Sequence, residues 1–362
     1  MMTLATIIRD AAYAASVAVL MACTHPAAPT STPAFAALEA RIGAGEFGNV
    51  HALLVYRAGA PIEERYFSGA DEKRGLPIGN VTFTADTLHD CRSITKTVTA
   101  LLFGIAVQEG KIQSLDAPVL DSFPEFGDLR TPERLRVHLS HLLTMTSGFA
   151  WDEFTFPYQD ARNSERKMDA APNPYRYVLE QPFAHDPGTQ WAYSGGSVAL
   201  AATIVERNVG EKLDAFAAHA LFAPLGITQW EWLKGRTGTP LAASGLRLTP
   251  RDIARIGRLI AQHGQWEGRQ IVERDWVESM TRPHATVGGP MRYGYFTWLS
   301  AVYAKGEPPV PYAAGFGYGG QTLVVFPEED LMIVTTAGNY ADRRQNQLAI
   351  ALIGAAHAAA GE

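Results

Sequence analysis

The chain has 362 residues, 47% of them hydrophobic and 19% charged, which is enough apolar material for a core in one large or two medium domains. Its formal net charge of −6 is small for this length, and no basic patch interleaved with aromatic residues indicates a nucleic-acid partner. With only two cysteines, Cys23 and Cys91, the chain has no disulfide framework and no cysteine-based zinc cluster.

The first 23 residues are typical of a bacterial secretory signal. Arg9 precedes an apolar run over residues 11–22 that is short for a membrane span. The run ends in Leu20-Met21-Ala22-Cys23, which resembles a lipobox with Cys23 as the lipidated residue. Residues 24–34 are rich in proline and predict a flexible tether. We therefore expect an exported, periplasmic protein anchored to the membrane through Cys23, and a buried first helix is the alternative.

The predicted elements form three groups along the chain. A helix over residues 35–44 is followed by two strands, 51–57 and 62–68, around the turn Gly59-Ala60-Pro61. A long helix begins near Ser93, because apolar residues recur there at helical spacing. Helical periodicity then dominates from 131 to 284, with candidate helices at 139–145, 198–208, 213–222, 250–263 and 273–280. Beyond Tyr293 we predict strands at 296–303, 322–326 and 332–336, and a final helix at 342–359.

Strands therefore lie at both ends of the chain, with helices between them. This order predicts an α+β fold in which both ends build one antiparallel sheet, flanked by N- and C-terminal helices, with an inserted all-helical domain. The expected boundaries are 35–126 and 290–362 for the sheet domain and 127–289 for the helical domain.

The stretch Ser93-Ile94-Thr95-Lys96 carries the first chemical motif. On a helix, residues three apart share a face, so the Lys96 amine can reach the Ser93 hydroxyl. The positive first turn favours a serine alkoxide and a neutral lysine, which could then act as a general base. An N-cap serine with a surface lysine is the open alternative. A second match, Ser164-Glu165-Arg166-Lys167, lies in a charged run and is interpreted as a solvated loop.

A second motif is Trp191-Ala192-Tyr193-Ser194-Gly195-Gly196, between the turn Asp186-Pro187-Gly188 and a predicted helix. A tyrosine on such a loop can reach into a cleft and offer its phenol for proton transfer. A core tyrosine with a satisfied hydroxyl is the alternative.

The third motif is Gly315-Phe316-Gly317-Tyr318-Gly319-Gly320-Gln321. It contains G-x-G-x-x-G, but a dinucleotide site requires a helix after it, and here a strand follows. Glycines in a strand allow close approach of its edge to a ligand. A backbone N–H there could complete an oxyanion hole with that of Ser93. A glycine-rich hairpin turn is the alternative.

Other chemistries have weaker support. The chain contains no G-x-S-x-G, so the nucleophile elbow of α/β-hydrolases is absent. His138 and His141 stand three apart with no third ligand nearby in sequence, and we interpret them as a half-buried helix face. We therefore predict no metal site and no cofactor.

Together, the three motifs resemble those of the serine β-lactamase and penicillin-binding-protein superfamily, in particular its class C-like, esterase-like and 6-aminohexanoate-dimer-hydrolase-like branch. Ser93-Ile94-Thr95-Lys96 matches the S-x-x-K motif fully. Tyr193-Ser194-Gly195 resembles the Tyr-x-Asn form of the second motif, with Gly195 where asparagine is usual. Tyr318-Gly319-Gly320 occupies the place of the third, with Tyr318 where lysine or histidine is usual. The resemblance extends over most of the chain from about residue 35.

The resemblance implies a role for each matching residue. Ser93 would be the nucleophile, Lys96 its base partner, and Tyr193 the group that protonates the leaving group. The backbone N–H groups of Ser93 and Gln321 would form the oxyanion hole. Gly320 would lie beside them, next to the bound substrate.

The departures from the family pattern favour one class of substrate. Tyr318 cannot supply the positive charge that would face a substrate carboxylate, and Gly195 cannot make the hydrogen bonds of an asparagine amide. The expected function is therefore an exported serine hydrolase that cleaves an ester or a small amide through an acyl-enzyme. The alternatives are a β-lactamase or D,D-peptidase activity, or a non-catalytic envelope sensor that keeps the fold. The sequence predicts no oligomeric state.

Overall fold

The computed structural model describes residues 31–304, 306–340 and 342–362. The secretory signal over residues 1–23, the lipidation of Cys23 and most of the tether fall outside these ranges and stay predictions. Among the helices described, none combines the length and the apolar character that crossing a membrane requires.

The elements before residue 110 begin with a terminal helix and lead to the long helix predicted at Ser93. They are α1 (Pro33–Gly43), β1 (Val50–Arg57), β2 (Ala60–Tyr66), β3 (Ser68–Lys73), β4 (Leu76–Thr82), β5 (His89–Asp90) and α2 (Ile94–Gln108).

The middle of the chain is mainly helical, as the periodicity predicted. Short 3₁₀ helices at Val119–Ser122, Pro124–Leu129 and Arg134–Arg136 precede α3 (Leu139–Leu143), α4 (Ser164–Ala170), α5 (Pro174–Glu180), α6 (Gly195–Val209) and α7 (Leu213–Ala217), which continues as a π-helix over Ala218–Phe222. Then follow β6 (Glu231–Trp232), β7 (Leu246–Leu248), α8 (Pro250–Ala261), β8 (Gln265–Trp266), β9 (Arg269–Gln270) and α9 (Arg274–Met280).

The last part of the chain returns to strands. They are β10 (Ala285–Gly288), β11 (Met291–Tyr293), β12 (Trp298–Val302), β13 (Val310–Gly317), β14 (Gln321–Phe326) and β15 (Leu331–Ala337), with a 3₁₀ turn at Pro327–Glu329 and a closing helix α10 (Gln345–Gly361).

Both ends of the chain build one eight-stranded antiparallel sheet, in the order β10-β11-β12-β13-β14-β15-β1-β2. The join is the pairing of β1 with β15, in which Leu53 lies opposite Thr335. The terminal helices cover one face, where Phe35 and Leu38 of α1 and Leu352 of α10 belong to one buried cluster. The predicted α+β architecture is thus confirmed.

Helix α2 lies at the centre of the molecule, and every residue from Ile94 to Ala106 is buried. It packs against α6 on one side and against β13 and β14 on the other. An all-round buried helix has no solvent face, so even its polar residues need internal partners. Thr99, for example, donates its hydroxyl to the carbonyl oxygens of Thr95 and Ala242, at 3.0 and 2.9 Å.

The interpretation of Ser164–Lys167 as a solvated loop is wrong, because these residues begin helix α4. Asn163 caps that helix, accepting hydrogen bonds from the backbone N–H groups of Glu165 and Arg166. Glu165 and Met168 turn inward and are buried. The exposed charged residues of this segment form the outer face of an amphipathic helix. The apolar residues that its inner face contacts lie far away in the sequence, so the local pattern did not indicate a helix.

Candidate active site

A tight turn between β5 and α2 presents Ser93. Arg92, directly before it, has a φ of +48°, a left-handed conformation that costs a non-glycine residue about 1–2 kcal/mol. Ion pairs of Arg92 with Glu72 and Asp90, at 2.6 and 3.4 Å, help to hold this conformation. Ser93 stands at the N-cap position of α2, but its side chain makes no capping hydrogen bond. Its hydroxyl is therefore free for other contacts.

Lys96 supplies the closest of these contacts. Its Nζ lies 3.0 Å from Ser93 Oγ and donates to the carbonyl oxygen of Ala243 at 2.8 Å. The side chain is only 1% exposed, so the alternative of a surface lysine does not hold. Burial lowers the pKa of the Lys96 amine, although the nearby carboxyl groups of Glu153 and Glu165 oppose the shift. The amine is thus shifted toward the neutral form that a general base requires.

Tyr193 also lies next to Lys96, with its ring centroid 4.7 Å from the Lys96 Nζ. Phe154 and Trp298 stack on its ring at centroid distances of 5.1 and 5.7 Å, and fix its orientation. Burial raises the pKa of the Tyr193 phenol well above its ordinary value, and a hydrogen bond with Ser93 only partly opposes this. At neutral pH the phenol is therefore protonated and could donate its proton.

The glycine-rich stretch comprises the end of β13 and the hairpin turn into β14, and it lies against the segment that carries the serine. A Cβ on Gly317 would stand 2.6 Å from the carbonyl oxygen of Cys91, and one on Gly315 would stand 3.0 Å from Thr97 Oγ1. Only glycine allows β13 to approach so closely. These glycines thus let β13 come close to the backbone around Ser93, whereas from the sequence we expected them to let a ligand come close.

Gly320 and Gln321 line the same cleft as Ser93. The side chain of Gln321 turns away from it, because Nε2 donates to the Ala337 carbonyl at 2.6 Å and Oε1 accepts from the Ala337 N–H at 3.0 Å. Only the backbone of Gln321 is then left to act on a ligand, as an oxyanion hole would need.

Tyr318 contributes a wall to the cleft through its ring. Its hydroxyl donates a hydrogen bond to the backbone carbonyl of Tyr340, and its ring meets that of Tyr158 edge-on at 5.7 Å. The hydroxyl is thus occupied within the protein, at the place where the family pattern has a cation.

The cleft above Ser93 has a volume of about 670 Å³, within the usual range for a small-molecule site. Its lining is mostly aromatic and aliphatic, comprising Phe154, Phe156, Pro157, Tyr158, Tyr193, Met291, Trp298, Phe316, Tyr318, Tyr340, Ala349 and Ile350. Arg343 is the cationic residue among the lining residues that the structure describes. The site thus suits a largely apolar ligand.

Glu153 is a buried ionisable group of the cleft that the sequence does not indicate. Its Oε1 accepts hydrogen bonds from Trp151 Nε1, at 2.6 Å, and from the backbone N–H of Gly195. Tyr158 donates its hydroxyl to Oε2 at 3.2 Å. Burial and the neighbouring Glu165 raise the pKa of the Glu153 carboxyl to about 8, although Lys96 acts to lower it. Nothing in the local sequence marks this loop residue as a partner of Lys96, because the contact depends on the fold.

The same carboxyl groups account for Gly195, which stands where the family pattern has asparagine. A Cβ on Gly195 would lie 3.0 Å from Glu153 Oε1 and 3.2 Å from Glu165 Cδ. The space for a side chain is thus already filled. In place of an amide, the site has two buried carboxyl groups beside the lysine.

Glu153 should make folding stability depend on pH. Its pKa rises from 4.5 to about 8 on folding, so between these values the folded state keeps a proton that the unfolded state loses. The contribution of Glu153 to stability should be greatest below the lower value and fall by up to about 1.4 kcal/mol per pH unit as pH rises through the window. In Glu153→Gln this contribution should disappear, and urea unfolding across the window should show a less negative slope of stability against pH, with the part due to Asp169 remaining.

The neighbouring Asp152→Asn is a matched control. The Asp152 carboxylate accepts backbone N–H groups of Thr155 and Phe154, which lowers its pKa, so its removal should lower stability by a constant amount at neutral pH and change the pH dependence only in acid. If Glu153→Gln loses stability with rising pH as steeply as the wild type, the assignment of a protonated Glu153 carboxyl in the folded state is wrong.

Tyr193→Phe should slow turnover by roughly 10²–10⁴-fold, the usual effect of removing one acid–base group. The loss should be larger for an amide than for a p-nitrophenyl ester, whose leaving group needs no proton. Tyr293→Phe is the control, since Tyr293 is also buried and its hydroxyl has no partner among the described residues. Equal losses on both substrates would show that Tyr193 does not protonate the leaving group.

Comparison with known proteins gives consistent matches. The beta-lactamase family model matches residues 36–355. The 6-aminohexanoate-dimer hydrolase of Paenarthrobacter ureafaciens is 25% identical over 304 residues, which cover 78% of this chain and 71% of that protein. The monacolin J acid methylbutanoyltransferase of Aspergillus terreus is 30% identical over 171 residues, 44% of this chain and 40% of that protein.

A solved structure shows the same fold. It is that of EstCE1, a hydrolase with promiscuous acyltransferase activity, with a TM-score of 0.68 and 14% identity. The match covers 89% of this chain and 97% of that one. At this identity the likeness concerns the fold alone, and it agrees with the sheet and helices described above.

Proposed function

Since the chain belongs to the beta-lactamase family of serine hydrolases, as its motifs predicted, we propose that it cleaves an ester or a small amide through an acyl-enzyme on Ser93. The observation that carries the proposal is the buried Lys96 amine, 3.0 Å from Ser93 Oγ at the floor of an aromatic cleft. A buried lysine held against a serine hydroxyl has the geometry of an activated nucleophile.

In the proposed mechanism, neutral Lys96 accepts the Ser93 proton as Ser93 Oγ forms a bond to the substrate carbonyl carbon. The backbone N–H groups of Ser93 and Gln321 stabilise the negative charge on the carbonyl oxygen. As the tetrahedral intermediate collapses, the bond to the leaving group breaks, and Tyr193 gives that group its proton. The proton held by Lys96 then restores the phenol. Water attacks the acyl-enzyme in the second half of the reaction and releases the acid and free Ser93.

The cleft walls support an apolar substrate with an ester or amide bond. The aromatic lining offers stacking and apolar contact, and the Tyr318 hydroxyl is already bonded to the Tyr340 carbonyl. The names of the relatives agree with this class, since one cleaves an aminohexanoate dimer and another transfers a methylbutanoyl group. An acyl group and a linear amide are both compatible with attack by Ser93.

Esters should be better substrates than β-lactams. A charge-assisted hydrogen bond to a carboxylate contributes about 1.5–3 kcal/mol, and Tyr318 cannot make one, so kcat/KM for nitrocefin should lie at least roughly 10–100-fold below that for the best short p-nitrophenyl ester. Linear amide dimers should be assayed beside both. Nitrocefin turnover that rivals the best ester would overturn the substrate assignment.

Arg343→Ala provides the control for that comparison. Arg343 lies exposed at the cleft rim and is the described lining residue that could meet a carboxylate in place of Tyr318. The variant should leave ester turnover unchanged and should remove whatever nitrocefin turnover the wild type has. Residual nitrocefin turnover that survives in Arg343→Ala would show that recognition of the carboxylate uses another group.

A further inference from the structure

Three ligand-type side chains meet in the interior, outside the active-site cleft. They are His51 on β1, Asp71 on β3 and His89 on β5, all at most 6% exposed. His51 Nδ1 lies 2.9 Å from His89 Nε2, and His89 Nε2 lies 3.6 Å from Asp71 Oδ1. One donor atom from each residue lies within 4.8 Å of the other two. Their spacing along the chain matches no metal motif, and the sequence alone therefore indicates no site here.

The hydrogen on His89 can be placed from its backbone contact. His89 Nδ1 lies 3.1 Å from the carbonyl oxygen of Asp90, which can only accept a hydrogen bond. Nδ1 therefore carries the hydrogen. Burial disfavours a doubly protonated imidazolium, so Nε2 presents a bare lone pair toward His51.

His51 has a similar environment. Its Nε2 is buried and makes no hydrogen bond to the described residues, while the carbonyl of Ala70 lies near the ring. A carbonyl oxygen can only accept, so it favours the tautomer with the hydrogen on Nε2, which leaves a lone pair on Nδ1. In the other tautomer, Nδ1 donates to His89 Nε2 at 2.9 Å.

With the hydrogen of His51 on Nε2, two ring lone pairs and a carboxylate oxygen converge. A cation among them would remove their repulsion, as a hydrogen between the rings does in the other tautomer. In metal-binding histidines, the second ring nitrogen usually donates to a backbone carbonyl or a carboxylate, and this contact fixes the tautomer. We propose that His51 Nδ1, His89 Nε2 and Asp71 Oδ1 bind a divalent transition metal of the zinc type.

The ligand set suits that class of ion. Two neutral imidazoles and one carboxylate are ordinary zinc ligands, and a water molecule would complete a tetrahedral site. Tyr340 donates its hydroxyl to Asp71 Oδ1 at 3.3 Å, so the carboxylate oxygen also has an orienting partner.

The position of the site indicates what the ion would do. Strands β1, β3 and β5 belong to three separate sheets, and β5 leads directly into the turn that presents Ser93. Tyr340 packs against Gly319 in the cleft wall, since a Cβ on Gly319 would stand 2.4 Å from the Tyr340 ring. A bound ion would thus join three sheets behind the active site and stabilise the fold, without contact with the substrate.

The test uses the full protein with any histidine tag removed. After treatment with a chelator and desalting, the protein is titrated with Co²⁺ and, separately, with Zn²⁺. We expect binding of about one ion per chain, a visible absorption spectrum of four-coordinate cobalt, and a rise in the melting temperature with Zn²⁺.

Asp71→Asn and His89→Gln should each weaken Co²⁺ binding by more than the roughly 10–100-fold that loss of an outer-shell partner costs. His138→Gln is the matched control and should bind as the wild type does, because the His138–His141 pair is joined by no third ligand among the described residues. If His89→Gln does not fold, cobalt binding by Asp71→Asn and the cobalt spectrum of the wild type still test the proposed metal site. Wild-type protein that binds no cobalt, or Asp71→Asn that binds as tightly as the wild type, would overturn the proposal and leave a hydrogen-bonded histidine pair.

Discussion

Ser93→Ala is expected to lower kcat/KM for a p-nitrophenyl ester by at least about 10⁴-fold, because the proposed acyl-enzyme forms on the Ser93 hydroxyl. The variant should still fold. Ser93 makes no capping hydrogen bond, so the loss of stability should stay below the roughly 1 kcal/mol typical of a removed N-cap. Activity and thermal unfolding, measured on the same preparation, separate the loss of chemistry from a loss of structure.

Ser164→Ala is the matched control, since Ser164 begins the second Ser-x-x-Lys match of the chain. Its hydroxyl accepts a hydrogen bond from the backbone N–H of Asp152 at 2.9 Å and is not part of the cleft lining. This variant should keep full activity. If Ser93→Ala retained more than roughly a tenth of wild-type activity, the assignment of the nucleophile would be wrong.

Lys96→Arg should be nearly as damaging as Lys96→Ala, with both losing at least roughly 10³-fold in kcat/KM. A free lysine is in the wrong protonation state at neutral pH by roughly three pKa units, or about 4 kcal/mol. The helix N-terminus can provide about 1 kcal/mol of this, and burial must provide most of the rest. Lys96 is fully enclosed, which fits that requirement. A guanidinium stays protonated even when buried, so arginine cannot replace the base.

The pH dependence of acylation gives a second measure of the same role. In the wild type, kcat/KM should rise with pH through the lowered pKa of Lys96, and in Lys96→Arg that dependence should be absent. Lys167→Arg, at the exposed lysine of the second match, should behave as the wild type. Near-normal ester turnover by Lys96→Arg would show that Lys96 is not the base.

The local part of the site could be predicted from the sequence, because it depends on spacing within one element. Ser93 and Lys96 stand three apart at the start of a helix, and that relation is fixed by helix geometry. The glycine-rich stretch likewise carries a local signal, because glycines in a strand allow another segment or a ligand to come close to its backbone. Tyr193 lies much farther along the chain, and its separation from Ser93 in the sequence fixes no geometry. Its place in the site was predicted from the family resemblance.

The rest of the site depends on contacts between distant segments. Glu153 acquires its raised pKa from burial beside Glu165, and neither residue has a local pattern that indicates this. From the sequence, Gly195 is only a position at which the asparagine of the family pattern is missing. In the fold, the absence of a side chain at Gly195 leaves room for two carboxyl groups. The cluster of His51, Asp71 and His89 likewise forms only when three sheets meet.

The fold, like the site, was predictable where it depends on local sequence patterns. The long helices and the two-ended sheet follow from periodicity, but β10, β11 and β13 of that sheet were missed, and so were the strands β3 to β9 outside it. β13 contains Pro311 and two glycines, Gly315 and Gly317, which hide the alternation of a strand. Its pairing with β12 and β14 is supplied by tertiary contacts.

The central claim, an acyl-enzyme on Ser93, is tested most directly by intact-mass analysis after labelling with a fluorophosphonate probe. Wild-type protein and Ser164→Ala should each gain one covalent adduct, Ser93→Ala should gain none, and peptide mapping should place the adduct on Ser93. Ester turnover by a wild type that takes up no label, or an adduct that maps to another residue, would contradict the account. A wild type that neither takes up label nor turns over esters would also contradict it, and would favour a non-catalytic binding protein with this fold.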